Sequence, residues 1–364
     1  MGSRLKVGLI GLSPIAAGGV RPGPHPSLGG DMAYSHAGAY ARFPECEVTA
    51  VCDLSAAQRE AFLHTWGATW PEARAYDDAQ RMFSEQSLDI VSIATPDHLH
   101  RDLVLTACDA GVKAILCEKP LATTLADCDQ IIAAVEQAVV KMNVDHTYRW
   151  FGAWQDARRA IDAGEIGEVR HVTGFLGGPR AMLFRNGTHL VDSLNYFAGG
   201  TPVWVSAELE PGFDHYRRGY AGDGGRAADS EPGANAQIGY DNGVRATYLG
   251  MKGCYADFGV QILGAKGRIT LDSLHESLAI DTGHGLSGRR LRLSHDRFAG
   301  HEYQYPGIAG AVADLLQAIK TGGPTLSPPT EARKAVALLL GMLRSHFAGG
   351  LRVALPATDA DLTA

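Results

Sequence analysis

Short apolar runs alternate with amphipathic stretches through the first 150 residues of the chain. The runs at 5–10, 48–52, 89–94, 112–117 and 140–144 have the length and β-branched content of buried strands. Stretches with the 3.6-residue period of helices, such as 100–110 and 124–139, lie between them. Because strands and helices that alternate in this way form a parallel sheet with right-handed crossovers, we expect an α/β domain here.

The pattern changes in the second half, where short strands follow one another with few helices between them. Asn242-Gly243 separates two of these strands and is a strong hairpin signal. The pattern therefore predicts an α+β domain with a large, mostly antiparallel sheet. The predicted strands are 169–175, 234–240, 244–249, 257–263, 267–271, 278–281, 291–293 and 351–355, and the predicted helices are 190–197, 309–320 and 330–347.

A length of 364 residues suits two domains, which we place at 1–123 and 124–364. We expect the C-terminal helix and strand to pack back on the first domain. Residues 17–33 are too rich in proline and glycine for a helix, so they form an inserted loop, either beside a ligand cleft or simply on the surface. The glycine-rich stretch 219–233 is a second loop, which could act as a lid.

Composition narrows the function classes. A net charge of -7 without a Lys/Arg cluster argues against nucleic acid, and no run of eighteen apolar residues or apolar N-terminal signal segment occurs. Six cysteines without a C-x-x-C pair are typical of a reduced protein, so we expect a cytoplasmic protein without disulfides. The histidines lack metal-ligand spacing, and we predict no metal site.

The first strand ends in a turn that partly matches a dinucleotide-binding fingerprint, Gly-x-Gly-x-x-Gly/Ala. Gly11 supplies the first glycine and Ala16 fills the third place, whereas Ser13 stands at the second. Asp53 ends the second strand, where an acidic residue binds the ribose hydroxyls of NAD and repels the phosphate of NADP. The turn residues that we expect to contact the cofactor are Gly11, Ser13, Pro14 and Ile15.

Another predicted strand stops at Pro120, which has no N–H for a central ladder, and presents Glu118 and Lys119 at its carboxyl end. Ligands of open parallel sheets bind at this edge, and a lysine held there can donate or accept a proton. The run by itself is equally consistent with a solvated Lys–Glu pair at the start of a loop.

These motifs together resemble the Gfo/Idh/MocA oxidoreductases. The resemblance rests on Thr95-Pro96-x-His98-x-His100, Cys117-Glu118-Lys119-Pro120-Leu121-Ala122, Arg149 and Gly164-Glu165-Ile166-Gly167. It implies a Rossmann-type first domain, NAD(P)-dependent oxidation or reduction of sugars, inositols and related polyols, and a catalytic role for Lys119. We expect Thr95, Pro96, His98, His100, Glu118 and Lys119 to line the cofactor, and the protein to form a homodimer or homotetramer through the second sheet.

The resemblance also implies a substrate-facing histidine in the second half, within Asp-x-Gly-x-His-x-x-Asp. Gly187, His189 and Asp192 match this pattern, but Arg185 replaces its first aspartate. We expect His189 to be catalytic, and Arg149, Arg185 and Asp192 to bind substrate. Arg185 is equally consistent with a surface arginine.

Hydride transfer between NAD, with NADP as the alternative, and a hydroxyl-bearing carbon is thus the favoured function. Either Lys119 or His189 could be the base. The departure at Arg185 leaves open a glycoside-cleaving enzyme that uses bound NAD transiently. A non-catalytic NAD(P) sensor is a further alternative, although a sensor would not need both groups.

Overall fold

A computed structural model describes residues 4–19, 33–222, 225, 227–254, 258–272, 277–283, 289–293 and 305–356. Most of the inserted loop 17–33 and residues 223, 224 and 226 of the loop 219–233 therefore lie outside the described part. The elements of the first part of the chain are β1 Leu5–Ile10, α1 Pro14–Ala17, α2 His36–Tyr40, β2 Cys46–Cys52, α3 Ala56–Trp66, β3 Arg74–Tyr76, α4 Ala79–Glu85, β4 Ile90–Ile93, α5 His100–Asp109, β5 Ala114–Cys117, α6 Leu125–Gln137 and β6 Lys141–Val144.

Strands dominate the second part until two helices follow near its end. Its elements are α7 Gly152–Asp162, β7 Val169–Gly177, α8 Gly187–Ala198, β8 Pro202–Leu209, β9 Ala234–Tyr240, β10 Arg245–Met251, β11 Phe258–Gly264, β12 Gly267–Asp272, β13 Ser277–Gly283, β14 Arg289–Leu293, α9 Ile308–Thr321, α10 Pro329–Phe347 and β15 Val353–Ala354.

The chain divides into two compact units, of which the first comprises the described residues of Met1–Pro24, Asp31–Trp150 and Tyr305–Thr330. Its six strands pair in parallel in the order β3-β2-β1-β4-β5-β6. The strand order reverses between β1 and β4, which is the switch point where open α/β sheets bind ligands. The expected parallel sheet is confirmed.

The boundary that we placed at residue 123 is wrong, because β6 pairs with β5 and so belongs to the first sheet. Sequence periodicity shows that a strand exists but not which sheet it joins. The later helix α9 also belongs to the first unit, where its buried Val312 and Leu315 enter the same core cluster as Val7 and Leu116. Most of α10 and all of β15 belong to the second unit, and their packing back on the first domain stays a prediction.

The second unit comprises the described residues of Phe151–Gln304 and Glu331–Ala364. Its nine strands run in the order β14-β13-β12-β11-β7-β10-β9-β8-β15, and only the β7–β10 pair is parallel. The large, mostly antiparallel sheet is therefore confirmed. Helix α8 packs on β7, where Leu190 and Leu194 lie against Gly174.

Two further expectations concern redox state and membranes. The six cysteines all lie among the described residues and form no disulfide with one another; five of them are buried. Over the described ranges, none of the helices has both the length and the apolar content needed to span a bilayer.

Candidate functional site

The turn after β1 requires a glycine. Gly11 has a φ of +81°, and a Cβ built on it would lie 2.7 Å from the carbonyl oxygen of Ala94. Its N–H donates to the carbonyl of Cys52 at 2.8 Å. Only glycine combines this left-handed conformation with such a close approach, so the turn is held against the ends of the two neighbouring strands.

Ser13 and Pro14 begin the short helix α1. Ser13 has extended backbone angles at the N-cap, and Pro14 takes the first helical position, where its missing N–H costs nothing. After the insertion, Ser35 caps α2 and its hydroxyl donates to the carbonyl of Gly18 at 2.6 Å. The two described helical pieces on either side of the insertion are thus tied together, and Ile15 is exposed on the first of them.

Asp53 lies beside this turn. Its carboxylate accepts the N–H of Leu12 at 2.7 Å and that of Ser55 at 2.8 Å. A carboxylate has about four lone-pair positions, so these two bonds fix its orientation while leaving capacity for the two hydroxyls of a ribose. This geometry fits the role predicted for Asp53.

Four predicted residues, Thr95, Pro96, His98 and His100, lie between the end of β4 and the first residue of α5. The Thr95 hydroxyl oxygen is buried without a hydrogen-bond partner in the described structure, whereas Pro96 and His98 are exposed. His100 is fully buried, with Nδ1 3.0 Å from the Pro120 oxygen and Nε2 3.1 Å from the Thr95 oxygen. His100 therefore holds the loops after β4 and β5 together, which places Thr95 beside the lysine loop.

Glu118 and Lys119 directly follow β5, and the Lys119–Pro120 peptide is cis. The Glu118 N–H donates to the Ile93 carbonyl at 2.8 Å, so the strand pairing reaches this point. Lys119 is half-buried. Glu118 is 9% exposed and turns inward, with Oε1 3.1 Å from Nε2 of His36. The structure thus places Lys119 at the carboxyl edge of the sheet, as the sequence predicts.

A buried polar cluster beside Glu118 was not predicted. His36 is fully buried, and its Nδ1 lies 3.0 Å from the Ser92 hydroxyl, which also bonds the Tyr40 hydroxyl at 3.0 Å. Asp145 is 1% exposed, with Oδ2 3.8 Å from Nε2 of His36. These residues come from distant parts of the chain. The one sequence signal that could have indicated the cluster is the presence of polar residues within apolar surroundings.

The two carboxyl groups of this cluster titrate differently. Burial and, after it, the neighbouring charge of Glu118 raise the pKa of Asp145 to about 7 against the opposing effects of His36, Thr147 and Lys119. Burial acts in the same direction on Glu118, but the His36 hydrogen bond and the Lys119 charge outweigh it and lower the Glu118 pKa. The cluster thus holds one ionised carboxylate and one carboxyl group that changes charge near neutral pH.

Arg149 is buried, at 3% exposure, and donates from Nη1 to the Leu326 carbonyl at 2.7 Å. This contact ties the segment Tyr305–Thr330 to the rest of the first unit. The contact has a structural purpose, and substrate binding by Arg149 stays a prediction.

In the second unit, the predicted residues gather at the start of α8. Asp192 is 1% exposed and His189 is half-buried, one helical turn apart on the same face. A Cβ on Gly187 would collide with the Tyr248 hydroxyl, so a glycine lets the helix begin against the sheet.

Arg185 precedes this helix and is held by a residue that the sequence did not reveal. The Glu231 carboxylate, at 2% exposure, accepts the N–H groups of Phe184 at 2.7 Å and Arg185 at 2.9 Å. Phe184 also stacks on Tyr220, with ring centroids 3.7 Å apart. The loop 219–233, which we predicted as a possible lid, is therefore anchored to the segment that carries Arg185.

Two family models match the chain. A model of the GFO/IDH/MocA oxidoreductase family, NAD-binding Rossmann fold, matches residues 28–146, and a model of the GFO/IDH/MocA C-terminal domain matches residues 154–270.

Similar proteins include D-apiose dehydrogenase of Paraburkholderia graminis, 39% identical over 138 residues that cover 38% of this chain and 36% of the relative. Inositol 2-dehydrogenase of Rhizobium meliloti is 28% identical over 325 residues, which cover 85% of this chain and 92% of the relative. The first relatives are matched over only 36%, 49% and 37% of their own length. The structure of levoglucosan dehydrogenase in complex with NADH shares the fold, with a TM-score of 0.78 and 19% identity. The match covers 98% of this chain and 100% of that structure.

Proposed function

Because the chain belongs to the GFO/IDH/MocA oxidoreductase family, we propose that it transfers a hydride between NAD and a hydroxyl-bearing or keto carbon of a sugar, inositol or related polyol. One observation carries the proposal. The carboxyl edge of the first sheet brings together a glycine turn, an aspartate beside it and a lysine at the end of β5.

The edge of the first sheet fits a dinucleotide. The tight turn at Gly11 and the N-cap Ser13 let the backbone approach a pyrophosphate, and Asp53 has free acceptor capacity for a ribose. The buried, unpartnered hydroxyl oxygen of Thr95 offers a further polar contact. When bound, NAD would accept or donate the hydride. We propose NAD rather than NADP, since the Asp53 carboxylate would repel a 2′-phosphate.

Lys119 is proposed to exchange a proton with the substrate hydroxyl. In the oxidation direction its amine takes the proton as the hydroxyl becomes a carbonyl, and in reduction its ammonium returns it. The paired loops after β4 and β5 hold its backbone, which keeps the lysine at a fixed place on the sheet edge.

In the second unit, His189, Asp192 and Arg185 are proposed as substrate-binding groups. His189 and Asp192 can hydrogen-bond hydroxyl groups from one face of α8, and the Arg185 guanidinium suits a hydroxyl-rich or acidic substrate. The similarity to D-apiose dehydrogenase and inositol 2-dehydrogenase supports a polyol substrate for the whole protein.

A panel of sugars, inositols, other polyols and their keto forms, assayed by nicotinamide absorbance with NAD and with NADP, tests this function. We expect turnover of at least one polyol, with NAD preferred. Release of a glycone without net NADH, or cofactor binding without turnover of any panel member, would contradict the proposal.

We also propose a homodimer or homotetramer that forms through the open face of the second sheet. Along β7, Val172 and Leu176 are buried, while Thr173 and Phe175 on the opposite face are partly exposed. Light scattering should give two or four times the chain mass of 38.7 kDa. A single-chain mass at micromolar concentration would reject this arrangement.

A further inference from the structure

Three buried side chains with metal-binding atoms converge at the carboxyl edge of the first sheet. One donor atom each from His36, Glu118 and Asp145 lies within 4.8 Å of the others, and no second group of this kind occurs among the described residues. Their side chains are 0%, 11% and 1% exposed. The proposed chemistry uses the neighbouring Lys119 but gives no task to this cluster.

The separations between the donor atoms fit a metal ion placed among them. Nε2 of His36 lies 3.1 Å from Oε1 of Glu118 and 3.8 Å from Oδ2 of Asp145. Zinc binds imidazole nitrogens and carboxylate oxygens at about 2.0–2.2 Å, so two ligands of a tetrahedral ion lie roughly 3.4 Å apart. The two separations lie on either side of this value, and small side-chain rotations would bring the three atoms to one ion.

The Asp145 carboxyl group directs an unpaired oxygen into the same space. Its Oδ1 accepts the Thr147 hydroxyl at 3.0 Å, whereas Oδ2 is buried and has no hydrogen-bond partner in the described part of the chain. A buried polar atom is costly when it is unpaired, and a carboxylate oxygen is satisfied by a hydrogen-bond donor or by a cation. The unpaired oxygen is therefore one of the three atoms that converge.

Two contacts outside the cluster orient the other donor groups. Nδ1 of His36 lies 3.0 Å from the Ser92 hydroxyl, and Oε2 of Glu118 accepts the backbone N–H of Lys119 at 3.3 Å. Outer contacts of this kind fix the imidazole tautomer and the ligand directions in metal sites. When Nδ1 carries the proton and donates it to the Ser92 oxygen, the lone pair of Nε2 is available to a metal.

We propose that His36, Glu118 and Asp145 bind a divalent transition metal, Zn²⁺, which fastens three separate segments of the first unit together. His36 begins α2, whereas Glu118 and Asp145 directly follow β5 and β6. One imidazole and two carboxylates suit Zn²⁺, whose tetrahedral shell has a fourth position for water. This inference goes beyond the proposed function and does not depend on it.

The sequence predicts no metal site because 82 residues separate His36 from Glu118, so no local spacing connects the ligands. A network of hydrogen bonds without a metal is the competing explanation. In that network His36 donates from Nε2 to Glu118, and the Ser92 hydroxyl donates to Nδ1 and accepts from Tyr40. The imidazole is then satisfied, but Oδ2 of Asp145 stays unpaired beside a second buried carboxyl group. A divalent cation removes both costs.

Lys119 supplies positive charge to the same two carboxyl groups. A single ammonium balances one of two carboxylates, whereas Zn²⁺ balances both and bonds them directly. The charge of Lys119 therefore weakens zinc binding without replacing the metal.

Zinc binding by the purified protein tests the inference and needs neither NAD nor substrate. The protein is stripped with EDTA, returned to Zn²⁺, desalted and analysed by elemental mass spectrometry. We expect about one zinc ion per chain in the wild type, and its loss in His36→Gln and in Asp145→Asn, where two ligands remain. Ser92→Ala removes only an outer contact and should weaken zinc binding about 10- to 100-fold.

Asp89→Asn is the matched control, because Asp89 precedes β4 at the opposite edge of the same sheet. There it accepts the Lys6 N–H at 2.8 Å and pairs with Lys113 at 2.8 Å. This variant should keep its zinc. A wild type that retains no zinc, or equal zinc content in the wild type, His36→Gln and Asp145→Asn, would overturn the inference.

Wild-type protein supplies a second measurement in case the variants do not fold. Co²⁺ in place of Zn²⁺ should give visible absorption bands of a four- or five-coordinate site, without the charge-transfer band of a thiolate ligand. Because the metal binds the folded chain, added Zn²⁺ should also raise the Tm of the stripped protein. Absence of the visible bands, a thiolate band, or an unchanged Tm would each contradict the proposed site.

Discussion

The carboxyl edge of the first sheet and the start of α8 in the second unit both collect the residues proposed for function, but they hold them differently. At the sheet edge, strand pairing and buried partners fix each group, as His36 does for Glu118 and Leu12 for Asp53. At α8, one helix face carries His189 and Asp192, while Arg185 depends on Glu231 from a loop.

This difference matches two separate roles, with cofactor binding and proton transfer at the sheet edge and substrate recognition near α8. Groups fixed by a parallel sheet keep their places when the surface varies, which suits a cofactor and a proton-transfer residue. Groups on a helix start and a loop can change without disturbing the sheet, which suits the choice of substrate. We therefore expect substitutions at the sheet edge to affect turnover, and substitutions near α8 to affect substrate binding and local stability.

The largest expected effect is that of Lys119→Met. Loss of the proton-transfer group should lower kcat by about 10²- to 10⁴-fold and leave the Kd for NAD within a few-fold of its original value. Steady-state kinetics and NAD titration by fluorescence measure the two quantities. Lys113→Met is the control, since Lys113 pairs with Asp89 at the opposite edge of the sheet and should leave kcat unchanged. Equal kcat in Lys119→Met and wild type would refute the assignment.

His189→Gln should have a smaller effect on kcat, about 10- to 100-fold, with a rise in KM, if the histidine mainly orients the substrate. His171→Gln is the control, because His171 lies on β7 of the same unit and bonds the Thr247 hydroxyl at 3.0 Å. A greater loss of kcat in His189→Gln than in Lys119→Met would reverse the two roles and identify the histidine as the base.

The smallest effect on chemistry should come from Glu231→Gln, which acts on stability. The two backbone N–H groups would lose a charged acceptor, so we expect the free energy of unfolding to fall by about 1–3 kcal/mol. Urea denaturation measures this change, with the exposed Glu208→Gln as control. If the unfolding curve of Glu231→Gln matched that of the wild type, the loop would not be anchored as described.

Local sequence patterns predicted most elements of the fold. The apolar run 5–10 coincides with β1, and the Asn242-Gly243 signal does join β9 to β10, with Gly243 at a φ of +84°. Strand β8 and helix α7 were not predicted, and β6 was assigned to the wrong domain. Pairing partners depend on contacts between distant residues, which periodicity along the chain does not contain.

The candidate site shows the same limit. Gly11, Asp53 and Lys119 each follow a strand, so their common edge could be predicted from strand order. Glu231 and the His36–Glu118–Asp145 cluster could not, because their members are separated by dozens of residues and no spacing rule connects them. Three-dimensional packing alone brings these groups together.

The return of α9 to the first unit has a consequence for synthesis of the protein. Ile308, Val312 and Leu315 complete a core whose strands are all made by residue 144. A nascent chain must therefore hold an uncovered apolar surface while residues 145–307 are still being translated. Chaperone dependence during that interval, and poor solubility of a fragment that ends at residue 150, follow from this topology.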